Sequence, residues 1–219
     1  MHISYTEENY LKAIYHHTTG QNREVATNTL AKTLNTSAAA VTDMVQKLSV
    51  KGLVIYKKYQ GVNISEIGKT QALQVIRKNL LWEVFLVGKL KFDWEEIHEV
   101  AEQLEHIRSP LLIQRLDDFL GNPTYSPHGE PIPNALGDLA HEPRVLLTDL
   151  ETGRGGIVSA IKEGSSVFLQ YLSKRGIYLG ARINVVDKIS FDQSMDISID
   201  HSPKINISQK VSDNILMLP

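Results

Sequence analysis

The sequence predicts a mostly α-helical chain that ends in a β domain, and three observations carry that expectation. Up to residue 120, apolar residues recur every three to four positions over stretches of helical length. Within residues 6–65 the order is helix, short helix, three-residue polar turn, helix, then two β-prone runs, which is the pattern of a winged helix-turn-helix. Beyond residue 143 the apolar runs become short and β-rich, which predicts a small barrel.

The elements follow in order. Thr6 and Glu7-Glu8 supply the start of a first helix whose inner face carries Tyr10, Leu11 and Ile14 and which Gly20 ends. A short helix over 26–34 places Leu30, Ala31 and Leu34 inward. Asn35-Thr36-Ser37 is a polar turn ending in a good N-cap, and the helix over 38–50 buries Val41, Met44, Val45 and Leu48. Gly52 closes it. Residues 53–58 and 62–65 read as strands around the turn 59–61. A long helix over 66–89 carries Leu73, Ile76, Leu80 and Val84 at near-heptad spacing, a seam of the kind that pairs with a copy of itself. Helices over 94–107 and 110–120 follow, the second opened by Pro110. Residues 121–139 hold Pro123, Pro127, Pro131 and Pro133 and read as an ordered, irregular linker. Short strands are expected at 144–147, 156–160, 181–186, 195–199 and 204–207, with a helix at 166–174.

Composition excludes several function classes. The 219 residues, 42% hydrophobic and 22% charged, suit two or three small globular domains or one large one. With no Cys, disulfide scaffolds, thiolate metal sites and thiol nucleophiles are out. The best apolar run, 80–87, falls far short of a membrane span of ~20 residues and contains Glu83. The first residues lack the basic start and apolar stretch of a signal peptide, so a soluble cytoplasmic protein is expected. Charge is uneven: residues 1–75 carry +3, 76–142 carry −6 and 143–219 carry +1. A basic head and an acidic middle suit an anion and a cation as partners, although three ordinary solvated surfaces produce the same pattern.

Two stretches carry candidate chemistry. In the winged-helix pattern the helix over 38–50 is the one that enters the DNA major groove. Its outer face offers Ser37, Ala39, Ala40, Thr42, Asp43, Gln46 and Lys47, the small residues allowing close approach to base edges. Lys47, Lys51, Lys57 and Lys58 are candidates for phosphate contacts. The alternative is a helical protein-interaction module of the same shape. On the helix over 94–107 the apolar stripe is Trp94, Ile97, Val100, Ala101, Leu104 and Ile107. His98, Glu102, Glu105 and His106 fall at i, i+4, i+7 and i+8, near one other face. Carboxylate and imidazole together suit a borderline divalent ion, and without thiolates the set leans to Mn2+ or Fe2+. A solvated polar face is the bland reading of the same spacing.

Several motifs in order carry a family resemblance. They are Thr6-Glu-Glu-Asn-Tyr-Leu-Lys-Ala-Ile-Tyr15, Val41-Thr-Asp-Met-Val-Gln-Lys-Leu48 with Lys51-Gly-Leu-Val54, Arg77-Lys-Asn-Leu-Leu-Trp-Glu83, His98-Glu-Val-Ala-Glu-Gln-Leu-Glu-His106 and Gly129-Glu-Pro-Ile-Pro133. Over essentially its whole length the chain resembles the metal-dependent repressors of the diphtheria toxin repressor and manganese transport regulator family. The resemblance implies a winged-helix DNA-binding domain over 1–73, a helical dimerisation and metal-binding domain with the Pro-rich linker over 74–140, and an SH3-like domain over 141–219. It implies a homodimer on a palindromic double-stranded operator, activated by Mn2+ or Fe2+ and repressing metal-uptake genes. Glu102, Glu105 and His106 match the primary metal site, Glu102 being the manganese-type residue. Glu83 and His98 match the ancillary site, and Glu163 matches a ligand from the C-terminal domain.

The chain departs from that pattern at three places. Asn9 stands where the first helix supplies Met or Asp, Lys12 where manganese-type members have Glu, and Asn79 where a His is usual. An amide is a weaker ligand than a carboxylate, and a lysine at position 12 opposes a metal ion. Glu8 is a candidate substitute ligand. His2, His16, His17, His128, His141 and His201 match no ligand position. These departures keep open a winged-helix factor that binds DNA without metal control. An enzyme is not expected, for there is no phosphate loop and no nucleophile motif; a barrel that binds Pro-rich segments, with the linker as its own ligand, is a further alternative.

Overall fold

In the computed structural model the described residues are 3–19, 24–58, 60–92, 97–139, 143–163 and 165–219. Helix α1 (Tyr5–Thr18) starts one residue before the expected Thr6, because Ser4 and Glu7 form a reciprocal cap. The Glu7 amide donates to Ser4 Oγ at 3.3 Å and the Ser4 amide to Glu7 Oε2 at 2.9 Å. Helices α2 (Thr27–Thr33) and α3 (Ala38–Val50) flank the polar turn, where Asn35 adopts a positive φ of 47°. Val41, Val45 and Leu48 of α3 and Leu30 of α2 are buried together. Strands β1 (Val54–Lys57) and β2 (Gly61–Ile64) form the antiparallel wing, Val54 facing Ile64, and Val25 bridges to Val62. The expected winged helix is therefore present.

Helix α4 (Glu66–Gly88) leaves the wing under a Ser65 cap and runs unbroken past position 73. Its Gly68 passes under β1 so closely that a Cβ there would stand 1.9 Å from the Leu53 carbonyl oxygen. The near-heptad seam serves a different purpose from the one expected. Leu73, Ile76 and Leu80 are buried in the chain's own core, against residues of α1, so they are not free to meet a second copy. Helix α5 (Ile97–Leu104) ends earlier than the expected residue 107. Trp94 lies outside the described residues, and Glu105 and His106 occupy the turn after the helix, with the Glu105 amide still donating to Ala101 O at 2.9 Å. Helix α6 (Pro110–Leu120) has Ser109 as its cap and ends at Gly121 with φ 79°.

The linker is ordered by two arginines. Arg77 of α4 donates to Pro133 O and to Asp117 Oδ2 of α6, both at 2.6 Å. Arg144 donates to Gly129 O at 2.6 Å and lies 3.6 Å from the Tyr125 ring centroid. Gly129 has φ +76°, and a Cβ on it would stand 1.9 Å from that of Ala160, so the linker rests directly on the C-terminal domain.

That domain contains β3 (Val145–Leu146), a 3-10 turn (Leu147–Asp149), β4 (Gly155–Ile161), α7 (Ser166–Lys174), β5 (Arg182–Lys188), β6 (Met195–Ile199), β7 (Ile205–Ile207), α8 (Gln209–Ser212) and β8 (Ile215–Leu218). Its strands form one antiparallel sheet in the order β3-β8-β4-β5-β6-β7, with irregularities at Val158/Ala160 and Val185/Asp187 that bend it. Strand β8 was not expected from the sequence, yet it lies between β3 and β4. The described residues form two hydrophobic cores, one drawn from residues 3–132 and one from 147–217. Among the described residues no helix is long and apolar enough to cross a membrane.

Gly68→Ala should destabilise the first core by about 2 kcal/mol, because the added methyl forces the wing away from α4; chemical denaturation monitored by tryptophan fluorescence reads this.

Candidate metal centre and DNA-reading face

One face of α1 presents Tyr5, Glu8 and Lys12, spaced i, i+3 and i+7, to the turn that follows α5. His106 Nδ1 lies 2.5 Å from Glu8 Oε2, and its ring stacks on Tyr5 with centroids 4.8 Å apart. Lys78 of α4 brings its ammonium to 3.8 Å from Glu8 Oε1. Lys12 Nζ donates to both carboxylate oxygens of Glu105, at 2.8 and 2.9 Å, and lies 3.5 Å from Glu102 Oε1. Glu105 is fully buried, at 0% exposure. Burial pushes its carboxyl above the ordinary range, against the pull of Lys12. Burial likewise draws Lys78 down, against the attraction of Glu8 and Glu105.

A second group adjoins the first. Glu83 of α4 is 3% exposed, and its Oε1 lies 3.7 Å from His98 Nδ1. His98 Nε2 lies 3.6 Å from Glu102 Oε1. The Glu83 carboxylate pushes the His98 imidazole up, burial acting the other way. Glu83 Oε2 is buried without a hydrogen-bond partner, and so is Asn79 Nδ2 one turn earlier on α4. An orphaned buried carboxylate oxygen is costly, and a cation is what it would accept.

On α3 the residues Ser37, Ala39, Asp43, Gln46 and Lys47 are exposed and Thr42 is half-buried. Ser37 Oγ is engaged as the helix cap, accepting from the Ala40 amide at 3.1 Å, and Thr42 Oγ1 donates to Ala38 O at 2.8 Å. Lys58 is exposed at the tip of the wing, and Lys57 lies 3.6 Å from Glu24 Oε1. Lys51 is not the free phosphate ligand expected of it. It bonds Glu7 Oε1 at 2.6 Å, tying the end of α3 to the start of α1.

Residues 2–62 match the N-terminal DNA-binding domain of the iron dependent repressors, residues 65–134 their metal binding and dimerisation domain, and residues 145–218 the FeoA domain. The chain is 31% identical to the iron-dependent repressor IdeR of Mycobacterium bovis over 169 residues, which cover 71% of this chain and 73% of that protein. The chain belongs to the iron-dependent repressor family. An uncharacterised helix-turn-helix transcriptional regulator of Methanocaldococcus jannaschii is 36% identical over 118 residues, 54% of this chain and 94% of that one. A manganese-dependent transcriptional repressor solved in complex with manganese superposes with a TM-score of 0.69 at 31% identity, covering 97% of this chain and 99% of that chain.

The protein is thus a DNA-binding transcriptional repressor with a metal-binding, dimerising middle region, in a family that uses Fe2+ or Mn2+. The structure brings Glu102, Glu105, His106, Glu83 and His98 into one neighbourhood. Asn9 is exposed on α1, and Glu8 meets His106 instead. Glu163 accepts a hydrogen bond from Ser165 Oγ at 2.7 Å within its own loop. Glu105 had been expected on an outward polar face and is interior. Lys12, expected from the sequence to oppose a metal ion, does stand at this cluster, whereas Tyr5 and Lys78 are partners that the sequence reading did not name.

A metal ion fits the two groups differently. The oxygen and nitrogen donors of Glu83, His98 and Glu102, with the orphaned Glu83 oxygen among them, suit a hard or borderline divalent ion. At Glu105 both oxygens accept from the Lys12 ammonium, whose positive charge opposes a second cation beside it, so an ion there does not fit the residues as they stand. Among the described residues no three His, Asp or Glu side chains already stand as a closed ligand set, so any binding draws side chains together.

Glu7 gives this region a pH dependence. Against the cost of burial, the Lys51 ammonium and the Ser4 amide hold its carboxyl below the usual range. A lowered folded value means stability that is full above the ordinary carboxylate range and lost as pH falls through the lowered value. Glu7→Gln should therefore cost about 1 kcal/mol near pH 7, and progressively less as pH falls through the lowered carboxyl value, read as thermal melts across an acid series.

Proposed function

We propose that this repressor senses Mn2+ or Fe2+ through Glu83, His98 and Glu102 and answers by binding a palindromic operator as a homodimer, in control of metal-uptake genes. The observation that carries this reading is the buried Glu83 carboxylate at the junction of α4 and α5, whose Oε1 faces His98 while its Oε2 has no hydrogen-bond partner. When bound, the ion supplies positive charge between these donors. The chain's own residues do the rest: Glu83 and Glu102 orient His98 from either side, and α5 is thereby drawn onto α4. That fixes the turn carrying Glu105 and His106, and through Lys12 and Glu8 it fixes α1 and the head above it. Two heads so held present their α3 helices at a set half-site spacing, and DNA affinity rises by linkage. Ala39, Asp43, Gln46 and Lys47 face the groove, Ser37 and Thr42 donate or accept at its edge, and Lys58 meets the phosphate backbone. The exposed Leu111, Leu112 and Phe119 of α6 are the apolar surface offered to the second copy. A DNA-bound repressor works where the genome is, which agrees with the cytoplasm.

The test is fluorescence anisotropy on a duplex that the protein selects from a random pool, at fixed salt because phosphate contacts are salt-dependent. Samples contain chelator, Mn2+, anaerobic Fe2+ or Zn2+. Binding should strengthen at least tenfold with Mn2+ or Fe2+, and Glu83→Gln or His98→Ala should remove most of that gain. Equal affinity in chelator and metal would make the chain a constitutive DNA binder and end this reading.

A further inference from the structure

We propose that Lys12 is itself the cation of the Glu102–Glu105 site, so that the junction between α1 and the turn after α5 closes without an ion there. A corollary rests on the functional reading above: each chain then takes its metal ion at the Glu83–His98 group alone.

The geometry is that of an occupied cation site. The Lys12 ammonium is 2.8 and 2.9 Å from the two oxygens of Glu105 and 3.5 Å from Glu102. The lysine side chain is 17% exposed and the Glu105 side chain 0%, so the pair is shielded from competing water. Much of the surrounding charge is already met. Glu8, Glu102 and Glu105 face Lys12 and Lys78, with Arg108 above Tyr5 and the His106 imidazole beside Glu8. A divalent ion among the same carboxylates would stand beside the Lys12 ammonium and be repelled by it in a poorly screened setting. It would also have to take Glu105 oxygens that now accept hydrogen bonds. The amine is covalently part of α1, whereas an ion must be recruited. The tie between positions 12 and 105 is thus intramolecular and independent of metal supply.

The test counts ions rather than repression. Mn2+ bound per folded chain is measured by equilibrium dialysis for the wild type, Lys12→Met and Glu105→Gln, and α1 amide exchange is followed in chelator. Lys12→Met should bind one Mn2+ more per chain than the wild type. In chelator its α1 amides should exchange at least about tenfold faster, and Mn2+ should restore them. Restoration by Mn2+ is what a merely packing role for Lys12 would not produce. Glu105→Gln should leave the wild-type ion count unchanged. The proposal is overturned if Lys12→Met binds no additional ion, or if Glu105→Gln loses one. Should Lys12→Met fail to fold, the Glu105→Gln count decides alone. A Glu83→Gln chain that still binds its ion would remove the functional reading while leaving the Lys12 comparison intact.

Discussion

Glu105 is a carboxylate without access to water, and the junction between the DNA-reading head and the middle of the molecule is organised around meeting its charge. An unpaired carboxylate in such a place costs several kcal/mol, and breaking a buried pair by removing one partner costs about 3–5 kcal/mol. Lys12 meets the charge with two hydrogen bonds from α1, so the pair adds direction as well as energy. Direction matters because α1 is also pinned at its other side. Glu7 on α1 holds Lys51 at the end of α3, and Leu11 and Ile14 lie in the core that α4 shares. The position of the reading helix is therefore fixed through α1, and the turn after α5 reaches the head through the same helix.

The C-terminal domain is attached by different means. Its core is separate, and its hold on the rest runs through the linker: Arg144 stacks on Tyr125 and bonds Gly129 O, while Arg77 bonds Pro133 O from α4. Prolines stiffen this segment by fixing φ, and the two arginines satisfy carbonyls that no helix or strand would reach. Gly129 is required there because only a residue without Cβ fits against Ala160 at φ +76°. The Gly-x-Pro-Ile-Pro stretch is thus a strap between two cores, with Ile132 buried in the first of them.

The head was legible in the sequence because local signals agreed: Ser37 caps α3, Val41, Val45 and Leu48 share one face, and turn residues separate the wing strands. Where the reading failed, the deciding information was remote. Glu105 followed the periodicity of an outward face, and nothing local says that a lysine 93 positions away will draw it inside. Lys51 read as a free cation for the same reason, its partner being Glu7. Strand β8 is four apolar residues at the end of the sequence, and its place between β3 and β4 depends on pairings across more than fifty positions. The candidate metal ligands were recognisable as residue types. Their division into one group centred on a lysine and another with an orphaned oxygen was not.

Glu102 links those two groups. The same carboxylate oxygen lies 3.5 Å from the Lys12 ammonium and 3.6 Å from His98 Nε2. A positive charge placed between Glu83 and His98 competes with Lys12 for that oxygen, because one side chain cannot approach both closely. Glu102 is half exposed, so moving it costs little. When it turns to the His98 side, Lys12 is left with Glu105 alone, the partner that is fully buried and already bonded through both oxygens. The two groups are then coupled by exchange of one carboxylate. In the proposed reading, an ion at the Glu83–His98 group tightens α5 against α4, while the Lys12 ammonium in the other group keeps α1 in register, and sensing needs no ion to bridge the head and the middle of the chain.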